Sequence, residues 1–241
     1  MKKILIIIPA YNEGKNLVSL IKKINSINKD WNILIIDDSK DDNTSNLIYK
    51  SNLFNFKYIN RKEKKGRGNA VRQGFDFTVG KNFEYILEMD ADLSHDPEEI
   101  IILLEKIIKS KCDLVIGSRY ANESKIIGWS IKRRIFSKLA NILARGLFGF
   151  KVTDYTNGFR IYSQKAIQEI IRYKMKNHGF MYLTETLNIL RKKNYSISEI
   201  PTIFVNRKFG KSSLTIGEIF NSLIGIIKLR FTKNELLSSN N

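Results

Sequence analysis

The chain has 241 residues, with 41 Lys and Arg against 24 Asp and Glu, for a net charge of +17. A hydrophobic content of 43% excludes a disordered chain, and the length suits one large α/β domain, residues 1–241, better than two small ones. A single cysteine, Cys112, excludes an internal disulfide framework and suits a reducing compartment; its strand-like neighbours make it a small core residue.

Residues 3–8 form a short apolar run before Pro9, with no small-residue cleavage site after it, so it reads as a first buried strand and not a signal peptide. Leu17, Leu20, Ile21, Ile24 and Ile27 recur at helical spacing and predict a helix over 13–27. A second strand over 33–36 ends in Asp37-Asp38; a helix over about 42–51 and a short strand over 56–59 follow. A basic loop, 61–68, opens a helix reaching about Thr78. A strand at 85–87 then runs into Glu88-Met89-Asp90-Ala91-Asp92-Leu93-Ser94-His95-Asp96-Pro97, where Asp96 reads as the N-cap of a helix over 97–109. The strand 113–117 closes in Gly117-Ser118-Arg119. This alternation predicts a doubly wound, mostly parallel sheet flanked by helices, Rossmann-like in plan.

The second half is less regular. Residues 130–147 read as a basic amphipathic helix with Ile131, Ile135, Leu139, Ile142 and Leu143 inward and its Lys and Arg largely outward. A turn-rich loop over 154–160 precedes helices near 163–172 and 182–193, then a strand over 200–205 and a basic loop over 206–213. The last helix covers about 215–231, and 234–241 read as a frayed tail.

Asp90 and Asp92 stand two residues apart at a strand end, so their side chains point the same way and can share one hard divalent cation such as Mg²⁺ or Mn²⁺. The pair alone fits an acidic loop capping a helix equally well. Glu13, Asp37 and Asp38 fall on the same edge of the predicted sheet, where open α/β sheets bind ligands, and five carboxylates there suggest a cleft for a cation and a polar ligand. Both the G-x-x-x-x-G-K-S/T loop and the G-x-G-x-x-G fingerprint are missing, which disfavours a P-loop ATPase or nicotinamide enzyme. The positive charge asks for an anionic partner: nucleotide or lipid phosphate, an anionic membrane surface, or nucleic acid. Nucleic acid is not expected, because no helix-turn-helix, zinc or RNA-recognition signature accompanies the charge.

Pro9-Ala10-Tyr11-Asn12-Glu13, the Asp37-Asp38 strand end, Met89-Asp90-Ala91-Asp92-Leu93-Ser94-His95 and Gly117-Ser118-Arg119-Tyr120 together resemble glycosyltransferase family 2, with its GT-A fold. Gly128-Trp129 with Lys132-Arg133-Arg134, Ser137 and Ala140-Asn141, then Asn157-Gly158-Phe159-Arg160-Ile161-Tyr162 and Phe204-Val205-Asn206-Arg207 with Gly210-Lys211-Ser212, resemble its dolichol-phosphate (polyprenol-phosphate) mannosyltransferase branch. The resemblance implies that Pro9, Tyr11, Glu13, Asp37, Asp38 and Ala91 line the nucleotide-sugar pocket and that Asp90 and Asp92 hold Mg²⁺ or Mn²⁺. It implies that Arg119, Arg133 and Ser137 receive an acceptor phosphate, with Arg207 and Lys211 on a loop closing over it. The implied reaction moves mannose from GDP-mannose to dolichyl or polyprenyl monophosphate with inversion. UDP-glucose or UDP-N-acetylglucosamine as donor, or a non-catalytic nucleotide-binding relative, are the alternatives. Residues 1–120 would form the nucleotide-sugar and metal half, and 121–231 the acceptor half.

Three departures stand out. The usual Asp-Asp-Gly-Ser-Pro-Asp-Gly-Thr stretch is Asp37-Asp38-Ser39-Lys40-Asp41-Asp42-Asn43-Thr44 here; Ser94 replaces a Gln found in some relatives; and Leu183-Thr184-Glu185 keeps only the Glu of a Gln-x-Glu segment. A polyprenyl acceptor lies in a bilayer, and no segment offers ~20 uninterrupted apolar residues. The expectation is a cytoplasmic protein docked peripherally on a membrane, or on a membrane-anchoring partner, through its basic segments.

Overall fold

A computed structural model describes residues 3–41, 43–51, 53–63, 66–149, 152–177, 179, 181–207, 216–231 and 235–236; of 216–223 and 235 only the backbone is described. The first half alternates as expected: β1 (Ile4–Ala10), α1 (Gly14–Ile27), β2 (Asn32–Asp37), α2 (Asn43–Tyr49), β3 (Phe56–Asn60), α3 (Arg67–Asp76), β4 (Tyr85–Glu88), α4 (Glu99–Ser110) and β5 (Leu114–Ser118). Then come β6 (Lys125–Ile127), α5 (Ile131–Phe148), β7 (Arg160–Ser163), α6 (Gln164–Ile171), β8 (Tyr173–Lys174) and α7 (Met181–Lys192). β9 (Ile197–Pro201), β10 (Ile203–Val205), α8 (Ile216–Phe231) and β11 (Glu235–Leu236) complete the described elements.

Seven strands form one sheet in the order β3-β2-β1-β4-β7-β5-β9. All neighbours pair in parallel except β7, which runs antiparallel to both β4 and β5. Alternate residues of β1 go to opposite faces: Leu5 and Ile7 pack with α3, α5, α6 and α7, while Ile4, Ile6 and Ile8 pack with α1 and α4. A strand covered on both faces must be apolar at every position, which is why 4–8 contains no polar residue. The chain leaves β1 on one side for β2 and β3, then crosses to β4 on the other, so the carboxyl end of β1 is the switch point where such sheets bind ligands.

Four expectations need correction. The first concerns α5, whose periodicity is right but whose buried face is the other one. Ile131, Ile135, Leu139 and Ile142 are 76, 53, 49 and 57% exposed, whereas Ala140, Asn141, Ala144 and Phe148 are buried. The small residues Ala140 and Ala144 belong to the core side shared with Ile226 and Leu229 of α8, where a short side chain permits close helix packing. Second, Arg160–Ser163, read as loop running into helix, is the antiparallel strand β7. Third, the strand expected over 200–205 is two, β9 and β10, parted at Thr202; β10 leaves the main sheet to pair with β6. Fourth, Glu235–Leu236, within the stretch read as frayed, pair with β8.

Candidate active site

The carboxyl ends of β1, β2, β4 and β5 and the amino end of β7 meet at one rim. After β4 the chain turns sharply at Leu93, whose φ of 60° lies in the left-handed region, an uncommon conformation for leucine. The turn is held by Asp92, whose Oδ1 accepts the Ser94 N–H at 3.1 Å. Ser94, which replaces the Gln of some relatives, therefore orients Asp92, and its carbonyl accepts the Val205 N–H at 2.9 Å. Asp96 then accepts the Glu98 N–H at 3.2 Å, but the first turn is tight and α4 begins at Glu99.

Asp90 and Asp92 each face an arginine. Arg67 Nε donates to Asp90 Oδ1 at 2.8 Å, and Arg207 Nη2 lies 2.8 Å from Asp92 Oδ2. Arg207 also reaches back 3.2 Å to Glu13 Oε1, spanning the ends of β1 and β4. Burial alone would raise the Asp90 pKa, but the opposing groups, Arg67 foremost with Arg207 behind it, together hold the carboxyl below its ordinary value. Asp92 is pushed up, by burial first and by Asp90 second; burial likewise pushes Glu13 up. Three acids close enough to perturb one another, crossed by a guanidinium, form a cation-seeking site. No group of three or more His, Cys, Asp or Glu in ligating arrangement is found among the described residues. Two carboxylates with diphosphate oxygens make up a common Mg²⁺ set, and Arg207 marks where positive charge is favoured, so the residues fit a divalent cation.

The other strand-end acids are committed internally. Asp37 is fully buried and accepts from the Ser39 N–H at 3.0 Å, the Ser39 hydroxyl and the Tyr58 hydroxyl, the last two at 2.6 Å. Asp38 receives Arg61 at 2.5 Å and the Gly66 N–H at 3.0 Å, tying the 61–66 loop to β2. Pro9 and Ala91 are buried, and Tyr11 stands exposed beyond β1.

A second cluster lies beside the first. Arg119, at the end of β5, is buried and gripped through two nitrogens by Asp154, Nε to Oδ2 at 2.7 Å and Nη2 to Oδ1 at 2.8 Å. Its Nη1 carries no hydrogen bond among the described residues. Trp129 lies 5.3 Å from the Arg119 guanidinium and stacks on Arg133 at 4.0 Å. The Trp129 Nε1–H is buried without an acceptor among the described residues. Arg133 donates to Asn206 at 3.2 Å; burial, then Arg119 and Arg207, lower its pKa, so three guanidinium groups repel one another across a small space. Ser137, one turn after Arg133, hydrogen-bonds the Tyr120 hydroxyl. Lys211 and the rest of 208–215 lie outside the described residues.

His95 joins the clusters. It stacks on Phe159 at 4.6 Å and meets Phe204 edge-on at 4.9 Å. Its Nε2 donates to Asn157 Oδ1 at 2.9 Å, which fixes the tautomer. Burial drives its pKa down to about 4, so the ring is neutral near pH 7 and fully engaged in packing. Sequence reasoning missed Arg67 and Asp154. Asp154 carries no signal beyond a turn-rich loop, and Arg67 hid in a segment weighed only as a phosphate loop.

The sequence profile of Glycosyl transferase family 2 matches residues 5–171. The chain is 30% identical over 228 residues to polyprenol monophosphomannose synthase of Mycolicibacterium smegmatis, covering 93% of this chain and 86% of that protein. It is 27% identical over 228 residues to undecaprenyl-phosphate mannosyltransferase of Micrococcus luteus, covering 94% and 93%. Glucosyl-3-phosphoglycerate synthase from Mycobacterium tuberculosis, solved with Mn²⁺, UDP and phosphoglyceric acid, shares the fold with a TM-score of 0.69 at 16% identity, over 95% of this chain and 77% of that one. The seven-stranded sheet is thus of the GT-A type, and the chain belongs to glycosyltransferase family 2 and is a glycosyltransferase.

Proposed function

We propose that the protein transfers mannose from GDP-mannose to a polyprenyl or dolichyl monophosphate at the cytoplasmic surface of a membrane, with inversion at the anomeric carbon. The observation that carries this reading is the arginine cluster beside the acid pair, with Arg119 Nη1 and Trp129 Nε1–H unspent among the described residues. A phosphate monoester offers acceptor oxygens for both, and Arg groups bind it bidentately. The named relatives, both polyprenyl-phosphate mannose enzymes, support the choice of lipid and sugar.

In this reading residues 1–120 hold the nucleotide sugar and 121–231 the acceptor. Pro9, Tyr11, Glu13, Asp37, Asp38 and Ala91 belong to the donor side, Asp37 and Asp38 by shaping the strand end. Asp90 and Asp92 would hold Mg²⁺ or Mn²⁺, which supplies positive charge to the departing diphosphate. Arg207 leaves Asp92 and Glu13 when other positive charge arrives, and is then free, with Lys211, to close on the acceptor. Arg119, Arg133 and Ser137 hold the acceptor phosphate. With a second pKa near ~6 the acceptor is already an anion at neutral pH and needs no general base, consistent with His95 being tied up in packing.

The lipid tail asks for a membrane, and no helix among the described residues is long and apolar enough to cross one. Helix α5 supplies the contact. Its exposed Ile131, Ile135, Leu139 and Ile142 lie along one stripe flanked by Lys132, Arg134, Lys138 and Arg145, with no acidic residue in the helix. Ile224, Ile227 and Phe231 of the adjoining α8 extend the apolar surface. Each Lys or Arg near an anionic surface adds ~1 kcal/mol.

The test is incubation of purified protein with GDP-[¹⁴C]mannose, polyprenyl phosphate and Mg²⁺. Butanol-extractable label that EDTA abolishes is the expected result, and its absence with every donor in a panel including UDP-glucose and UDP-N-acetylglucosamine overturns the reading. Equal turnover in an Asp90→Asn, Asp92→Asn double variant would refute the metal role.

A further inference from the structure

Arg67, the first residue of α3, donates in three directions from an almost buried position. Nε reaches Asp90 Oδ1 at 2.8 Å, Nη1 reaches Glu88 Oε2 at 3.3 Å, and Nη2 reaches the Gly158 carbonyl at 3.3 Å. Glu88 is fully buried, and its other oxygen accepts the Tyr162 hydroxyl at 2.6 Å. Burial alone would lower the Arg67 pKa, but Asp90 and Glu88 hold it above its ordinary value, so the group remains a cation.

Gly158 is shaped by this contact. A Cβ built there would lie 2.6 Å from Arg67 Cζ and collide with Nη2, so the guanidinium occupies the space a side chain would need. Gly158 is four residues from Asp154, which grips Arg119. Between them Asn157 donates to the Gly117 carbonyl and accepts from His95. A short path of direct contacts therefore runs from Asp90 through Arg67 and Gly158 to the loop that aims Arg119.

We propose that Arg67 is a positioning residue that registers the 154–160 loop against the donor carboxylates, so that loading the Asp90 side tightens the Asp154–Arg119 side. The planar fork is what suits the task, because three acceptors in three directions exceed what an ammonium on a flexible stem can hold in fixed geometry. The competing account is charge balance alone: Arg67 neutralises the buried Glu88, and the Gly158 contact is incidental. The inference rests on the donor and acceptor assignment made under the proposed function.

Hydrogen–deuterium exchange with Mn²⁺ and GDP, and with Mn²⁺ and UDP, separates the two. In the native chain either probe should protect both 90–94 and 154–160. Arg67→Met, and Gly158→Ala, which keeps the cation but pushes it aside, should preserve protection at 90–94 and lose it at 154–160. Turnover should fall roughly 10-fold to 100-fold, as expected for a misplaced reacting group, with KM for the nucleotide sugar nearly unchanged. Arg67→Lys should recover melting temperature but not the loop response; recovery of both would establish charge balance and overturn the inference. So would a native loop that ignores the probe, or a Gly158→Ala loop that responds like the native one. Failure of the native chain to transfer any sugar would strike the proposed function, while the exchange result still judges the coupling.

Discussion

Replacing Ile135 and Leu139 together by Ser tests whether the stripe on α5 seats on a membrane. The two are 53% and 49% exposed, so about half of each side chain's contact with water is still available to be removed. Full burial of an Ile or Leu side chain is worth ~1.5–3 kcal/mol, which leaves ~1 kcal/mol per residue for the membrane to gain. Losing both should cost ~2 kcal/mol, or roughly 30-fold in partition coefficient. Co-sedimentation with vesicles rich in anionic phospholipid measures this, with neutral vesicles as the reference. Salt should weaken the native chain and the variant by a similar factor, because the flanking Lys and Arg are untouched. The melting temperature should barely move, since substitutions at exposed positions usually stay within ~0.5 kcal/mol. Undiminished vesicle binding would remove the stripe from the membrane contact. Marked destabilisation would mean that the stripe is covered in the native protein.

Further outcomes follow from the buried polar groups and the packing. Asp154→Ala strands a buried Arg119 and should cost ~3–5 kcal/mol in denaturant unfolding; a loss under ~1 kcal/mol would contradict the ion pair. His95 has a folded pKa of about 4, below the ordinary 6.5, so the unfolded chain takes up the proton first as acid is added. Its contribution to stability is complete above about pH 6.5 and drains away toward pH 4, by up to ~1.4 kcal/mol per pH unit. Stability of His95→Gln should therefore fall less steeply across that window, and parallel profiles for the two proteins would refute the assignment. Gly74→Ala places a Cβ 2.6 Å from Ile7 Cγ2 where α3 crosses β1, and overpacking there should cost ~1–3 kcal/mol, read as a lower melting temperature.

The strands and helices of the first half could be read from the chain because each carries one dominant period and ends in turn chemistry. The acids at the ends of β1, β2 and β4 were legible for the same reason: a parallel sheet brings successive carboxyl ends to one rim. Helix α5 shows where that logic stops. It has two apolar stripes, one through Ile131, Ile135, Leu139 and Ile142, the other through Ala140, Leu143, Ala144, Leu147 and Phe148. Hydropathy favours the first, and only the neighbouring α8 and sheet reveal that the second is the core. Arg67 and Asp154 escaped because their roles depend on partners 23 and 35 positions away, and nothing local marks a residue whose partner is distant. The motif-bearing Arg160 is a related case: it is fully buried and donates to the carbonyls of Asn157, Leu183 and Tyr155, a scaffold that no spacing rule anticipates.

The chain has two tryptophans, and the fold separates them. Trp31 is buried just before the start of β2, at the edge of the sheet away from the acid cluster, packed with the α1 side of the core. Trp129 lies under the Arg133 guanidinium, among the groups that would meet an acceptor phosphate. A Trp31→Phe protein would carry a single tryptophan, at the acceptor pocket, excited selectively over the ten tyrosines at the red edge of the absorption band. Its emission should shift strongly when a polyprenyl phosphate draws Arg133 off the indole face, and only slightly when nucleotide alone tightens the neighbouring Arg119 side, giving an optical, label-free account of which substrate arrives first.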